Sequence, residues 1–432
     1  MGAIFITIFA QYKFKIFYNS NSITLGFIGT YQEHDLPKEV TRLLSQSLVE
    51  EGGDGRIHGK LAAGWDTNND ATVFKFKLKD NLTWADNSQI KAQDLAISIP
   101  NVEITSPDDK TIQFNLKESY SPLPSLLTKP VFKKNSLIGT GPYKISKIEK
   151  SRIFITKIEL ESTKGDLPKI FIRFYPNEKV AITGFNLGEV QALFGYTNLK
   201  AFLGNPGVGL RQKTDYSKVV NILFNTKDNL LSNRSLRQAL GYATPKIENE
   251  QEANNPYPPY HWAYNPDSKK YLANPAETKS AMERAKANIP DDKLKGGELI
   301  LTSTSNLEGV ANKIVAAWKE LGFDAKIRIE EGIAQNFQSL LITQSIPLDP
   351  DQYSLWHATQ TKTNLTKYDS KRADKDLEDG RRIITEEERK QKYFDFQRSL
   401  LEDAPAIFLY FPKYNIAYLK KKEALLNKIL SL

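Results

Sequence analysis

The stretch GELILTSTSNLEGVANKIVAAWKELGFDAKIRIE, Gly297 to Glu330, decides the fold class of this chain. Glu298 to Ser303 reads as a strand, and Leu307 to Leu321 sets Val310, Ile314, Ala317, Trp318 and Leu321 on one stripe of a helix. Gly322 then stops the helix, since glycine enters the left-handed cap conformation without strain. Ala325 to Ile329 forms a second strand. Strand, helix and strand in this order imply parallel pairing through a right-handed crossover, the building unit of an α/β sheet.

The same kind of reading extends in both directions. Downstream, Thr385 and Glu388 form a capping box ahead of Tyr393, Phe394, Phe396, Gln397 and Leu400, an apolar helix face, and the charges of Glu386 to Lys392 read as the wet side of that helix. Upstream, Thr72 to Lys79 alternates Phe74, Phe76 and Leu78 with Lys75, Lys77 and Lys79, a strand with one buried and one solvated face. Thr111 to Leu116 repeats the pattern, and Arg152 to Leu160, Ile170 to Phe174 and Val219 to Phe224 read as further strands. Val40 to Val49 has helical spacing at Val40, Leu43, Leu44 and Leu48, and Gly52, Gly53 and Gly55 break it. Between Pro245 and Pro275 the chain is rich in Pro, Asn and Tyr, which describes an ordered loop rather than a linker.

Composition narrows the function classes. A chain of 432 residues can hold two lobes and bury enough surface to need no disulfide, and it has no cysteine. Thiolate metal sites, a cysteine nucleophile and attachment of a lipid to cysteine are thereby excluded. The net charge of +8 is a small excess of 59 basic over 51 acidic residues, and the runs Lys420 to Lys422 and Lys133-Lys134 lack the interleaved aromatics of a nucleic-acid track, so no nucleic-acid partner is expected. His34, His58, His261 and His357 show no paired spacing for a metal helix. No Gly-x-Ser-x-Gly elbow or Gly-Lys-Ser/Thr phosphate loop occurs, and Asp108-Asp109 and Asp291-Asp292 sit in turn-like contexts. The chain is read as a non-enzyme without cofactor or metal.

The beginning of the chain supports two readings. Ala3 to Ala10 is apolar apart from Thr7, and Lys13 and Lys15 interrupt a second apolar stretch at Phe14 to Tyr18. Each falls well short of the roughly 20 residues that span a bilayer. Residues 1–22 are a truncated signal or anchor, or a first strand.

Several short stretches then follow one another in a telling order. They are Leu61-Ala62-Ala63-Gly64-Trp65-Asp66, Phe74 to Lys79 with Leu82-Thr83-Trp84-Ala85-Asp86-Asn87, Ile90 to Leu95, and Ile-Gly-Thr-Gly-Pro-Tyr-Lys-Ile at Ile138 to Ile145. Gly188-Glu189-Val190, Leu223-Phe224-Asn225-Thr226, Ser235 to Leu240, Asp349 to His357, and Ala404 to Leu409 complete the series. In this order, over roughly Ile23 to Tyr418, the chain resembles the extracellular solute-binding proteins of the oligopeptide, dipeptide and nickel type, family 5, which serve ABC importers.

The resemblance implies a two-lobed α/β fold of the periplasmic-binding-protein type II, with a hinge, a cleft that closes on ligand, and a reduced third subdomain. It implies a first lobe of residues 23–219 plus 412–432, holding a reduced insertion at about residues 61–137, and a second lobe of residues 220–411. The expected partners are a peptide or other small solute and an ABC permease, for a monomer outside the cytoplasm, in the periplasm or at the outer face of the cell membrane, where an N-terminal anchor is one reading. A metal chelate or sugar as ligand, or a surface chaperone or adhesive role without transport, are the competing readings.

Ligand contacts follow from the same resemblance. Gly29 to Leu36 matches the stretch that offers backbone groups to an extended ligand, which brings in Tyr31, His34 and Leu36. In peptide binders an aspartate shortly before the Asp-Pro-Asp-like stretch holds the ligand ammonium. Here Ile346, Pro347 and Leu348 stand there, so Asp349 or Asp351 is the candidate, while Asp349 also reads as a turn or helix cap. Tyr353, Trp356 and His357 can line the cleft, and Trp356 can equally pack in a core.

Overall fold

The computed structural model describes residues 21–432 apart from residues 34, 164, 291–293, 295 and 333. His34 and nearly all of residues 1–22 therefore lie outside the described residues.

Ser22–Ile28, buried along almost its whole length, pairs in parallel with Lys169–Tyr175 on one side and Ala192–Phe194 on the other. Parallel neighbours on both sides bury the strand on both faces, Ser22 and Thr24 included. Phe154–Ser162 and Tyr143–Ser151 extend this seven-stranded sheet at one edge, Lys413–Leu419 and Val208–Thr214 at the other. Phe27 stacks on Phe194 at 4.8 Å within its core.

The second sheet has six strands, with Lys218–Phe224 antiparallel to both Ser339–Ser345 and Ala406–Phe411. Glu298–Ser303 runs parallel to Asp324–Ile329, and helix Glu308–Glu320 crosses between them, the unit read from Gly297 to Glu330. Trp318 on that helix is fully buried, and its indole N–H donates to the Leu240 carbonyl at 3.3 Å. Burial of such a side chain stabilises by about 3 kcal/mol or more. The chain passes from the first sheet to the second between Thr214 and Lys218 and returns between Phe411 and Lys413. Two short crossings between two lobes are the covalent arrangement that hinge closure requires.

A third, four-stranded sheet stands apart: Ala62–Thr67, Val73–Leu78, Thr111–Leu116 and Val102–Asp108. Phe74, Phe76 and Leu78 face its core and the alternating lysines face water, as their period of two dictates.

Three local expectations are corrected. The helix expected over Val40 to Val49 is Lys38–Leu44, because Leu48 and Val49 leave it to pack under the small sheet, and Val49–Glu51 pairs with Ile57–Gly59 instead. Gly139 and Gly141, read as turn glycines, are required for close approach: a Cβ at either would overlap carbonyl oxygens of Leu43 and Leu44, and the Gly141 N–H donates to the Leu44 carbonyl at 2.9 Å. Helix Glu386–Asp403 does not carry all its early charges to solvent, since Arg389 is buried beside Tyr393 and Phe396.

Candidate ligand-binding cleft

The small sheet meets the second lobe along a seam that begins at the hairpin Val49–Glu51 and Ile57–Gly59. Gly55, at φ 73, turns the hairpin so closely over His261 that a Cβ would lie 2.9 Å from the His261 Cα. Beside it Arg56 holds Glu386 of the second lobe in a fork: Nε donates to both carboxylate oxygens at 3.0 and 3.1 Å, and Nη2 donates to Oε1 at 2.7 Å. Further along, the Ser121 N–H and hydroxyl both donate to the Arg381 carbonyl, at 2.9 and 3.1 Å. The Arg381 guanidinium lies between the Tyr120 ring at 5.1 Å and the Tyr353 ring at 4.2 Å and pairs with Asp351 at 3.1 Å. Burial raises the Asp351 carboxyl above its ordinary value, and Arg381 opposes that rise.

Between these joints lies a cavity of about 230 Å³. From the hairpin and small sheet it is lined by Arg56, Ile57, Trp65 and Phe74, and from the second lobe by Trp262, Asp349, Ile384, Glu386 and Arg389. Its charges come in pairs. Arg389 Nη2 donates to Asp349 Oδ1 at 2.6 Å, with side chains only 9% and 12% exposed, whereas Arg56 and Glu386 are 43% and 45% exposed. Arg389 also donates from Nε to the Gly380 carbonyl at 2.9 Å and lies over the rings of Trp262 and Tyr393, each at 5.5 Å. Burial lowers the Arg389 pKa, and Asp349 and Tyr393 more than reverse it, so the guanidinium stays charged. A larger cavity of about 320 Å³ lies elsewhere, between Phe174 and Leu187, and its Arg173, Tyr175 and Glu189 satisfy one another at 3.0 and 3.2 Å.

The residues singled out from sequence fall into two groups. Asp349, Asp351, Tyr353, Trp356 and His357 come together in the second lobe. Asp349 lines the cavity, while also accepting from the Asp351 N–H at 3.0 Å as a turn residue does. Trp356 is 1% exposed, its indole N–H donating to Gln352 at 2.7 Å, and it belongs to the second-lobe core. His357 is buried between Thr359 at 2.8 Å and Glu378 at 3.1 Å, with Tyr353 stacked on it at 4.0 Å. Tyr31 and Leu36 instead pack on the first-sheet core. The Tyr31 hydroxyl donates to the Ile28 carbonyl at 2.8 Å, and its own carbonyl accepts from the Ile155 N–H at 2.8 Å.

Arg56, Trp65, Trp262, Glu386 and Arg389 were not singled out from sequence. For Arg389 a signal existed: it stands four residues before Tyr393, seven before Phe396 and eleven before Leu400, on the buried stripe of its own helix. For Arg56 and Glu386, separated by 330 residues, none did.

Residues 98–364 match the family described as bacterial extracellular solute-binding proteins, family 5 Middle, more than half of the chain. The chain belongs to this family. It is 19% identical over 438 residues to the probable D,D-dipeptide-binding periplasmic protein DdpA of Escherichia coli (strain K12), covering 88% of this chain and 84% of that protein. Its fold is similar to that of the ABC transporter substrate-binding protein CtaP of Listeria monocytogenes, with a TM-score of 0.77 and 19% identity over 92% of this chain and 94% of that one. It is also similar to NikZ of Campylobacter jejuni in complex with Ni(L-His), with a TM-score of 0.72 and 21% identity over 93% and 94% of the two chains. This family and these neighbours are solute-binding proteins, two-lobed as this chain is. Among the described residues no helix is long and apolar enough to cross a membrane, and no three His, Asp or Glu side chains are placed to hold a metal ion.

Proposed function

We propose that the protein captures peptides in the cleft between the small sheet and the second lobe and delivers them, outside the cytoplasm, to an ABC permease as a monomer. The observation that carries this reading is the cavity walled from both sides by aromatic rings and paired charges, on a family 5 fold whose lobes are joined by two short crossings. Apolar walls with a few fixed polar groups are what a solute pocket needs. At about 230 Å³ the cavity holds one residue-sized group, and a longer ligand is proposed to extend from it and to be enclosed as the lobes close. Ligand favours closure by its higher affinity for the closed form.

The lobes are proposed to divide as residues 23–219 with 412–432 and 220–411, a division supported by the crossings near 214–218 and 411–413. Asp349 is proposed to form part of the cavity wall and Tyr353 part of its rim, with Asp351, Trp356 and His357 holding the frame behind them and Tyr31 and Leu36 shaping the first-lobe face. The name of the Escherichia coli relative, a dipeptide binder, supports peptide as the ligand class.

Thermal unfolding with defined peptide pools tests the proposal. A ligand at one hundred times its Kd stabilises by about 2.7 kcal/mol, an unmistakable rise in the midpoint. No shift with any pool rejects peptide capture, and native mass spectrometry of the purified protein then identifies a metal chelate or sugar if one is carried instead.

A further inference from the structure

The fork between Arg56 and Glu386 sits on the wall of the cavity, Arg56 contributed by the hairpin and Glu386 by the second lobe. The pair is exposed, and its geometry is bidentate: two guanidinium nitrogens hold both oxygens of one carboxylate, at 2.7 to 3.1 Å. That planar match is the feature by which arginine recognises a carboxylate. The remaining nitrogen, Nη1, is taken by Asp54 at 3.2 Å, and Asp54 also accepts from the Arg56 N–H at 3.1 Å. Asp54 thus fixes the guanidinium with its Nε and Nη2 edge turned to Glu386. The Asp54 carboxyl is held at about 2, chiefly by that backbone N–H, so it remains charged.

Glu386 is the replaceable half. It stands 45% exposed in the first turn of helix Glu386–Asp403, where the helix dipole favours a carboxylate even without Arg56. Releasing it to water strands no buried charge. The contrast with Asp349 and Arg389 is sharp, because parting that pair would take from a guanidinium only 9% exposed its one hydrogen-bonded carboxylate. The cavity that holds the fork mixes apolar side chains, Ile57, Trp65, Phe74, Trp262 and Ile384, with His58, Thr67, Ser121, Ser125 and the Asp349–Arg389 pair.

We propose that Arg56 receives the C-terminal carboxylate of a peptide ligand, that Glu386 occupies the fork as an internal stand-in until ligand displaces it, and that the adjoining apolar walls select a bulky apolar C-terminal side chain. An α-carboxylate fits because its apolar side chain branches from the adjacent carbon, so charge and apolar surface arrive side by side as the fork and walls do. The inference rests on the peptide reading above and adds the end of the peptide that is read.

Calorimetry on the intact protein with one peptide in two forms, free acid and C-terminal amide, each ending in Phe or Leu, tests it without any variant. The free acid binds about tenfold or more tightly than the amide. Arg56→Gln brings the two forms to within about twofold of each other, and Glu386→Gln, which weakens the stand-in, tightens the free acid by up to about fivefold. Both positions are exposed, and circular dichroism of each variant confirms an intact fold. Equal binding of acid and amide by the wild type overturns the inference while leaving peptide capture standing. An amide ending in Glu that binds as tightly as the free acid gives the fork to a side-chain carboxylate and overturns it likewise. Binding of neither form by the wild type, nor of any pool, rejects the peptide reading and this inference together.

Discussion

Replacing Asp349 by Ala separates two roles that the residue could have, wall of the frame or holder of a ligand ammonium. In the structure its Oδ1 accepts from Arg389 at 2.6 Å and from the Asp351 N–H at 3.0 Å. Removal leaves a guanidinium whose side chain is 9% exposed with the Gly380 carbonyl, the Tyr393 hydroxyl at 3.2 Å, two ring faces and the through-space charge of Asp351. Stranding a buried charge in this way costs about 3 to 5 kcal/mol. For a lobe of this size each kcal/mol moves Tm by about 2 to 4 °C, so a fall of about 6 to 20 °C follows. Urea unfolding gives the free energy and calorimetry the midpoint. The double change Asp349→Leu with Arg389→Met removes both charges and recovers at least half of the loss, because an apolar pair can replace a buried ion pair at little cost. A single-site loss below about 1 kcal/mol, or a double variant no better than the sum of its parts, refutes the structural role. Unchanged stability with a loss of affinity for peptides bearing a free amino terminus would give Asp349 to the ligand.

Three other perturbations follow from local geometry. Gly141→Ala forces a Cβ against the Leu43 and Leu44 backbone and costs about 1 to 3 kcal/mol, whereas Gly309→Ala, in open space on a helix, stabilises by about 0.5 to 1 kcal/mol; equal effects in thermal unfolding would contradict this. His261 is held neutral, since Nδ1 accepts from the Ala263 N–H at 3.1 Å and Nε2 donates to the Leu348 carbonyl at 3.1 Å. Burial, the largest cause, lowers its pKa from 6.5, so its stabilising contribution is present above pH 6.5 and is lost as pH falls through the lower folded value; the drop in Tm from pH 7 to 5 shrinks in His261→Asn, and an unchanged drop refutes it. Arg381→Ala removes the cation held between Tyr120 and Tyr353 and speeds amide exchange at Ser121, whose N–H donates to the Arg381 carbonyl; exchange as slow as in the wild type would remove Arg381 from the joint.

The sequence by itself determined whatever repeats at short range. Phe74, Phe76 and Leu78 at a period of two gave a strand, and Ile314 and Trp318 on one helical stripe between two strand-like stretches gave the parallel crossover, because the pleat and the helix turn impose those spacings wherever one face is buried. The ordered series from Leu61 to Leu409 identified the family for the same reason that each piece is weak alone: order is a property of the chain, not of the fold. What only the tertiary structure decided is which charges meet. Arg389 looked like helix surface until Asp349, 40 residues away, closed on it, and Arg56 finds Glu386 across 330 residues. Charge pairing acts through space over a few ångströms and leaves no period along the chain, so the walls of the cavity became visible only when the small sheet was seen resting on the second lobe.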